Sequence, residues 1–384
     1  MRARVEHFGA WVRLDNPDAL VALDRAAAAR LGIDGGALWK EGAAVGFPRP
    51  LEVHVAVTAR CPAGCEGCYL DARPDGVEPS FAEIEARLEA IARLGVFTVA
   101  FGGGEPLTRA DVGELAKRAR ELGLIPVMTT SGIGLTKAKA ASLRAFAQIN
   151  VSYDGVDEAY EAVRGWDGRK AAERAIRILD EAGIPVGANT VLTRQSFGWL
   201  EKTADHLALL GVRELQLLRY KPAGRAASLD YLTRRLTPEQ LAELHPTMGR
   251  IVRQGRLSVR IDCALVPLLS GYVTSPEQVR ALERFGVFGC EAGRHLAASR
   301  NDGRIAPCSF AEPGPSEVRG IDASWNDDAS LERFRAYHAS PPEPCASCVL
   351  RPVCRGGCQV VSKHLKGGFE PDPECPRVRE RGRG

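Results

Sequence analysis

The chain has 384 residues, enough for one large domain and a smaller one, and its 45% hydrophobic and 26% charged residues are typical of a globular protein. A formal net charge of +3 is too small to predict nucleic-acid binding. No apolar run reaches membrane-spanning length, and the first residues lack the apolar region of a signal peptide. We therefore expect a cytoplasmic protein that makes no contact with a membrane.

Residues 1–48 predict a small N-terminal appendage. They contain a predicted strand at Trp11–Leu14 and a predicted helix at Leu20–Leu31, followed by a link with Gly and Pro that leads to Pro50. Such a segment is too short for a sizeable core of its own, so we expect it to pack on the rest of the chain.

Residues 49–225 alternate short apolar runs with amphipathic helical stretches at a pitch of roughly 30 residues, the pattern of βα units around a parallel sheet. The predicted strands are Leu51–Val57, Val96–Phe101, Ile125–Thr129, Ile149–Ser152, Val186–Leu192 and Glu214–Leu218. The predicted helices are Phe81–Leu94, Asp111–Leu122, Lys137–Phe146, Arg169–Ala182 and Leu200–Leu210. Six units predict an α/β fold with a partial (β/α)6 TIM-like barrel, whose chemistry lies at the C-terminal ends of the strands.

Residues 226–285 predict a bridging segment, with a helix at Pro238–Gln254, a strand at Leu257–Asp262 and a short helix near Pro276–Phe285. From Gly286 to the end, Gly, Pro and Cys dominate and the periodicity fades. A segment with so little apolar material should depend on metal for its fold, so residues 286–384 predict a small cysteine-rich domain.

Eleven cysteines are the most informative residues of the chain. Three follow the first barrel strand in the spacing C-x3-C-x2-C, and seven crowd the C-terminal region: Cys61, Cys65 and Cys68, then Cys290, Cys308, Cys345, Cys348, Cys354, Cys358 and Cys375. Only Cys263 stands apart. Grouped thiols in a cytoplasmic protein favour metal over disulfides. Three thiolates leave one position of a four-ligand iron–sulfur cluster open, and a zinc site completed by a distant ligand is the alternative.

Two further segments end barrel strands. The second strand runs into a glycine-rich turn, Gly102–Pro106, which would let a ligand approach the backbone closely. The fourth strand ends in Val151–Gly155, which taken alone is also compatible with an ordinary strand-to-turn exit.

The three segments together resemble the radical S-adenosylmethionine (SAM) superfamily, whose signature is C-x3-C-x-aromatic-C. Here Gly67 replaces the aromatic residue, and Tyr69 follows the third cysteine, so we expect aromatic packing from a shifted position. The resemblance implies that Cys61, Cys65 and Cys68 hold a [4Fe-4S] cluster with an open iron that binds SAM. One electron then cleaves SAM to a 5′-deoxyadenosyl radical, which abstracts a hydrogen atom from the substrate.

The resemblance also implies a set of SAM contacts. The turn with Gly103, Gly104 and Glu105 would bind the amino group of SAM, and Ser152 would reach SAM from the fourth strand. Looser candidates are Asn189 for the ribose, Arg164 for the carboxylate and Arg225, in a P-x-G-R turn, near the adenine. For Arg164 a surface salt bridge is the alternative.

The C-terminal cysteines resemble the seven-cysteine SPASM pattern, with Gly303 at its expected place between the first two. The resemblance implies two auxiliary [4Fe-4S] clusters, and a zinc ribbon would need only four of the seven residues. The outer cluster would be held by Cys345, Cys348, Cys354 and Cys375, and the inner one by Cys290, Cys308 and Cys358. The fourth position of the inner cluster could be taken by Cys263 or stay open to substrate, and Cys263 could instead be a buried small apolar residue.

The SPASM resemblance implies a peptide or protein substrate, and thus a peptide maturase. A tetrapyrrole or other small-molecule modifier is the alternative, and a non-enzymatic iron–sulfur electron carrier is a third, disfavoured by the SAM-binding segments. Sulfatase-type maturation is disfavoured because Ser309, not Asp, follows Cys308. The expected partners are an electron donor such as flavodoxin or ferredoxin and, because the appendage is short, a separate leader-peptide-binding protein.

Overall fold

The computed structural model describes residues 2–16, 18–40 and 49–381. The appendage forms a three-stranded antiparallel sheet and a short helix: β1 (Arg2–Glu6), β2 (Gly9–Asp15), β3 (Asp18–Asp24) and α1 (Arg25–Arg30). The strand predicted at Trp11–Leu14 lies within β2. The predicted link between residues 41 and 48 lies outside the described residues.

The helix predicted at Leu20–Leu31 is wrong in its first half. Residues 18–24 pair with β2 from Asp18, opposite Asp15, to Asp24, opposite Gly9. The helix begins only at Arg25, where the Asp24 carboxylate accepts a hydrogen bond from the Ala27 amide at 2.7 Å and caps the first turn.

A nine-stranded sheet forms the body of the protein, in the order β10-β9-β8-β7-β6-β5-β4-β11-β12. Its strands are β4 (Glu52–Thr58), β5 (Thr98–Gly103), β6 (Ile125–Thr130), β7 (Gln148–Ser152), β8 (Val186–Leu192), β9 (Glu214–Arg219), β10 (Ser258–Ile261), β11 (Leu296–Ser299) and β12 (Ile305–Ala306). The six predicted barrel strands are β4–β9, and all of them pair in parallel. The predicted partial barrel is confirmed.

The remaining helices surround this sheet and build the C-terminal region. They are α2 (Phe81–Arg93), α3 (Val112–Glu121), α4 (Lys137–Ser142), α5 (Ala159–Arg164), α6 (Arg169–Glu181), α7 (Leu200–Leu209), α8 (Tyr231–Arg234), α9 (Pro238–Gln254), α10 (Pro276–Arg284), α11 (Ile321–Ser324), α12 (Ala329–Ala339), α13 (Arg351–Cys354), α14 (Gln359–Lys366) and α15 (Pro376–Arg381). The helix predicted at Lys137–Phe146 ends four residues earlier, at Ser142. None of the described helices combines the length and apolarity needed to cross a membrane.

The sheet extends beyond the six predicted units at both edges. β10, from the predicted bridging segment, pairs in parallel with β9, and β11 pairs in parallel with β4. Apolar residues after β11, including Ile305, Ile321 and Leu331, join the main hydrophobic core. The first part of the cysteine-rich region is therefore built into the barrel sheet.

The N-terminal sheet docks at the edge where the parallel strands begin. Arg4 donates a hydrogen bond to the carbonyl of Gly95, and Arg2 and Arg13 donate to the carbonyl of Gly123 at 3.0 and 2.5 Å. Gly95 and Gly123 lie just before β5 and β6. The appendage thus packs on the barrel, as expected, and leaves the opposite edge, where the strands end, to the cysteines.

Candidate active site at the C-terminal edge of the sheet

The first three cysteines lie on the loop after β4. Cys61, Cys65 and Cys68 are half-buried free thiols that border a central cavity of about 1700 Å³ inside the barrel. Burial raises the pKa of Cys61 to about 11, and the other two thiols add to this effect. The loop therefore gathers three thiols at one mouth of a large cavity, where a bound cation would favour their anionic form.

Two side chains donate hydrogen bonds to the sulfur of Cys65. The indole nitrogen of Trp166 lies 3.2 Å from this sulfur, and a guanidinium nitrogen of Arg164 lies 3.6 Å from it. Arg164 is also ion-paired at 2.6 Å with Asp154, which is almost fully buried. Burial opposes the charge of Arg164, but Asp154, Tyr160 and Cys65 together outweigh burial and raise the pKa of Arg164. The surface salt bridge considered for Arg164 is therefore a partly buried ion pair on the wall of the cavity.

The glycine-rich turn after β5 is hydrogen-bonded to the cysteine loop. The amide of Gly104 donates to the carbonyl of Thr58, and the amide of Glu105 donates to the carbonyl of Arg60, both at 2.7 Å. Gly103 has a φ of 111°, and a Cβ there would lie 2.3 Å from the Thr58 carbonyl oxygen. Only glycine permits this approach, which joins the two predicted motifs into one rigid edge.

The carboxylate of Glu105 accepts four hydrogen bonds from the protein. One oxygen accepts from the Leu107 amide at 3.0 Å and the Thr130 hydroxyl at 2.6 Å. The other accepts from the amide and the hydroxyl of Ser131, at 2.7 and 2.5 Å. Glu105 is 1% exposed and borders the cavity. These contacts give it a role in fixing β6 and the turn, and its contact with SAM stays a prediction.

Ser152 and Asn189 are brought together as direct neighbours across the β7–β8 pair, and both border the cavity. The Asn189 amide accepts a hydrogen bond from Asn150 at 2.9 Å and donates one to Thr129 at 3.3 Å. Asn189 thus belongs to a polar row inside the barrel.

Arg225 binds the cysteine loop itself. Its guanidinium donates to the carbonyl of Cys65 at 2.9 Å, to the carbonyl of Ala72 at 2.8 Å and to the Asp71 carboxylate at 2.8 Å. Because these hydrogen bonds occupy its guanidinium, Arg225 supports the cysteine loop. Its predicted contact near the adenine stays a prediction.

Four of the remaining thiols form an inner group: Cys263, Cys290, Cys308 and Cys358. Burial raises the pKa of Cys290 well above its ordinary value, and the nearby thiols of the other three raise it further. Burial likewise raises the pKa of Cys263, with contributions from Asp262, Cys358 and Cys308. Cys263, isolated in the sequence, is thus within electrostatic reach of three thiols that the sequence pattern had grouped.

The last four thiols form an outer group: Cys345, Cys348, Cys354 and Cys375. Burial raises the pKa of Cys354, and the other three thiols raise it further. Arg377 donates a hydrogen bond to the Cys348 sulfur at 3.1 Å, and the Ser270 hydroxyl lies 3.2 Å from the Cys375 sulfur. All eleven cysteines are free thiols and fall into groups of three, four and four. Among the described residues, no three His, Cys, Asp or Glu side chains are arranged to hold a single metal ion.

A buried ion network connects the barrel to both C-terminal groups. Arg219, at the end of β9, forms a two-pronged pair with Asp372 at 2.6 and 3.0 Å and contacts Glu374 at 2.7 Å. Asp372 also accepts a hydrogen bond from the Cys358 amide at 3.0 Å. One barrel side chain thus holds the segment that carries Cys358 and Cys375.

Residues 55–207 match the model of the radical SAM superfamily. This range contains the cysteine loop, the glycine-rich turn and Ser152, which the structure gathers around one cavity. The comparison thus identifies a radical SAM domain over this range.

Curated relatives and solved structures are similar to the chain over most of its length. The chain is 27% identical over 349 residues to a PqqA peptide cyclase of Rhodopseudomonas palustris, which covers 86% of this chain and 87% of the relative. It is 29% identical over 350 residues to a PqqA peptide cyclase of Ruegeria pomeroyi, covering 86% and 88%. Streptococcus suis SuiB bound to its precursor peptide SuiA has a similar fold, with a TM-score of 0.73, 18% identity and coverage of 97% and 98%.

Several residues of the candidate site were not predicted from the sequence. Trp166 donates to the Cys65 sulfur, and Asp154 pairs with Arg164, which also donates to it; no spacing rule connects Trp166 or Asp154 to the cysteine loop. Lys221 is buried, pairs closely with Asp262 and lies 4.2 Å from the ring centre of Phe310, which follows Cys308 by two residues. A charged residue two positions after a barrel strand is the signal that the sequence offers for Lys221.

Proposed function

We propose that this radical SAM enzyme cleaves SAM at the Cys61, Cys65 and Cys68 loop and modifies a peptide or protein. The division of the thiols into groups of three, four and four carries the proposal. Three thiols suit a [4Fe-4S] cluster with one iron open to SAM, and each group of four suits a complete auxiliary cluster. With Cys263 as its fourth ligand, the inner cluster would have no open iron.

Bound to its cluster, SAM would supply a 5′-deoxyadenosyl radical that abstracts a hydrogen atom from the substrate. The chain's own residues would hold this chemistry in place. The N–H groups of Trp166 and Arg164 donate hydrogen bonds to the Cys65 sulfur and would hold it in position. The Glu105 network and Arg225 would fix the walls of the SAM site, and Ser152 and Asn189 would face SAM from the strands.

The proposed substrate class rests on the cavity and on the relatives. A cavity of about 1700 Å³ is larger than a typical small-molecule site, so it can take SAM together with a chain segment. The named relatives include peptide cyclases and a protein bound to its precursor peptide. These favour a peptide over the tetrapyrrole alternative.

Four further assignments belong to the proposal. An electron donor such as flavodoxin or ferredoxin would reduce the first cluster, and a separate leader-binding protein would assist peptide recognition. The chain would act in the cytoplasm. The domains would be the appendage at 1–48, the barrel at 49–225, the bridge at 226–285 and the SPASM region at 286–384.

The substrate is tested by co-expressing the enzyme with each short peptide encoded beside its gene. The expected result is a mass change equal to the loss of hydrogen in one peptide, found by mass spectrometry and absent without SAM. If the anaerobically reconstituted enzyme cleaves SAM with dithionite, modifies no such peptide and modifies a tetrapyrrole, the peptide assignment is wrong.

The thiol groups predict the iron content. The wild type should bind about twelve irons per chain after anaerobic reconstitution, from three four-iron clusters. Cys263→Ala should lower this to about eight to eleven because the inner cluster loses a ligand, while SAM cleavage persists. Iron analysis and Mössbauer spectra measure both, and Cys263→Ser tests whether an oxygen ligand restores iron. Unchanged iron and spectra in Cys263→Ala would remove Cys263 from the inner cluster.

Glu105 should affect both stability and SAM binding. Glu105→Ala leaves the donors of Thr130 and Ser131 without a partner, which should cost about 2–3 kcal/mol of folding free energy. If Glu105 also binds the amino group of SAM, affinity should fall by about one to two decades with normal iron content. Ser131→Ala is the matched control, because it removes part of the same network and keeps the carboxylate. Equal loss of SAM affinity in the two variants would show that Glu105 acts only through the network.

A further inference from the structure

Lys221 is a buried cation just beyond the end of β9, beside the inner thiol group. It lies two residues after Arg219, the last residue of that strand, and 5% of its side chain is exposed. It forms a close ion pair with the carboxylate of Asp262, the residue before Cys263. Replacing a buried ion pair by apolar side chains of similar volume is often neutral or stabilising, so stability alone does not account for this pair.

The ammonium group of Lys221 faces the segment that carries Cys308. It lies 4.2 Å from the ring centre of Phe310, which follows Cys308 by two residues. Lys221 also borders the central cavity, as do all four thiols of the inner group. Burial raises the pKa of Cys308, and Lys221 opposes this rise together with the amides of Phe310 and Ala311. The cation is therefore close enough to favour negative charge on this sulfur.

The two charges of the ion pair act on different thiols. Burial raises the pKa of Cys358 to about 11, and Arg219 and Lys221 oppose this rise. Burial also raises the pKa of Cys263, Asp262 adds to this rise, and Lys221 opposes it. Lys221 thus acts on three of the four inner thiols, whereas Asp262 acts on the one beside it in sequence. The pair presents its positive end to the inner group.

Arg219, a second buried cation near Cys358, is balanced by its own partners. It pairs with both Asp372 and Glu374, at 2.6 and 2.7 Å. Lys221 has a single acidic partner, so its charge acts on the inner thiols with less compensation. Removing Lys221 should therefore change the electric field at these thiols strongly.

We propose that Lys221 is a positioning residue whose charge raises the reduction potential of the cluster held by the inner thiols. The inference rests on the proposed function, because it requires a cluster at Cys263, Cys290, Cys308 and Cys358. The potential of such a cluster depends on the charges, hydrogen bonds and solvent around it. On taking up one electron the cluster gains one negative charge and no bond breaks, so a fixed cation favours the reduced form. Burial strengthens this effect because water does not screen the cation.

The test is a redox titration of the reconstituted, full-length protein with dithionite, followed by electron paramagnetic resonance. Lys221→Met keeps the length of the side chain and removes its charge. It should lower the equilibrium constant for one-electron reduction of one cluster by at least about tenfold, which corresponds to about 59 mV. The affected signal should be the one that Cys263→Ala also perturbs, and the potentials of the other two clusters should stay as in the wild type.

Asp262→Asn makes the opposite change of charge at the same place. The Asp262 carboxylate also accepts hydrogen bonds from the amides of Ala264 and Leu265, at 2.8 and 3.1 Å, and an asparagine oxygen can accept both. This variant should raise the same potential, because the cation loses its counter-charge. The double variant Lys221→Met/Asp262→Asn should have a potential between those of the two single variants. Shifts of the same sign in the two single variants would overturn the inference.

Two controls separate charge from structure. Lys221→Arg keeps the charge and should restore the equilibrium constant to within about twofold of the wild type. Lys363 lies on α14, which begins just after Cys358, but its side chain is 41% exposed and pairs with Glu312. Lys363→Met should therefore leave all potentials unchanged, because water screens an exposed charge.

Unchanged potentials in Lys221→Met with wild-type iron content would contradict the role of Lys221. If Lys221→Met does not fold, as judged by iron content and melting temperature, Asp262→Asn and the double variant decide, because the double variant leaves no unpaired charge.

The proposed function and the role of Lys221 can fail separately. A reconstituted wild type that holds a single four-iron cluster would overturn the assignment of three clusters. A wild type with three clusters, none of whose potentials responds to the Lys221 and Asp262 variants, would overturn only the role of Lys221.

Discussion

Replacing Cys61, Cys65 and Cys68 together by Ala should abolish 5′-deoxyadenosine formation and leave the protein folded. The three thiols are half-buried on a loop and contribute nothing to the main hydrophobic core. Their removal should therefore change the free energy of unfolding by less than about 1 kcal/mol in the iron-free protein. Iron content should fall from about twelve to about eight per chain, because both auxiliary groups keep their ligands.

Product analysis by chromatography, iron determination and circular dichroism measure these effects. Pro62→Ala, an exposed neighbour in the same loop, is the control and should retain both iron and SAM cleavage. If the triple variant still formed 5′-deoxyadenosine with dithionite, the loop would not be the site of SAM cleavage. Loss of all iron would instead mean that the three thiol groups do not assemble independently.

The barrel was predictable because its local signals agree with its tertiary structure. Ser80 and Glu83 form a reciprocal capping box at the start of α2, and Thr237 and Gln240 form one at the start of α9. The predicted helix at Pro238–Gln254 matches α9 residue for residue. Because caps fix helix ends through local contacts, sequence patterns predict those ends well.

Errors arose where distant pairing decided the structure. Residues 18–24 are rich in Ala, Val and Leu and suit a helix, yet pairing with β2 makes them a strand. β11 has the sequence Leu-Ala-Ala-Ser and no β-branched residue, so nothing local predicts a strand. It forms because β4 offers an unpaired edge beside it. Propensity could not anticipate either outcome.

The candidate site likewise has residues that local sequence spacing predicts and residues that only the folded structure brings together. Cysteine spacing predicted the three-thiol loop and most of the C-terminal groups, because ligands close in sequence must lie close in space. Cys263 depends on where β10 ends, so no spacing rule finds it. Arg225 was predicted from a turn motif, but its donors face the Cys65 and Ala72 carbonyls, a contact that only the folded loops create.

Replacing Cys345 and Cys348 by Ala should unfold the end of the chain and leave the barrel intact. The described segment around these thiols has only a small apolar cluster, in which Leu350 and Val353 pack on Val266 and Val279. A bound metal centre can supply on the order of 10 kcal/mol to the folding of such a segment, more than this cluster can replace. Cleavage sites should appear between about residues 340 and 381 rather than from residue 286, because the residues around β11 belong to the main core.

In the Cys345 and Cys348 variant, the iron content should fall by about four atoms per chain. SAM cleavage should persist because the Cys61–Cys68 loop lies on the barrel. Turnover of the peptide substrate should drop at least tenfold, since Asp372 and Glu374 would no longer be held against Arg219 beside Cys358. Limited proteolysis with mass spectrometry locates the new sites, and Ser347→Ala, exposed between the two thiols, is the matched control. An unchanged cleavage pattern with wild-type iron content would show that Cys345 and Cys348 hold no cluster. Cleavage throughout the barrel would show that the outer group stabilises the whole fold rather than its last segment.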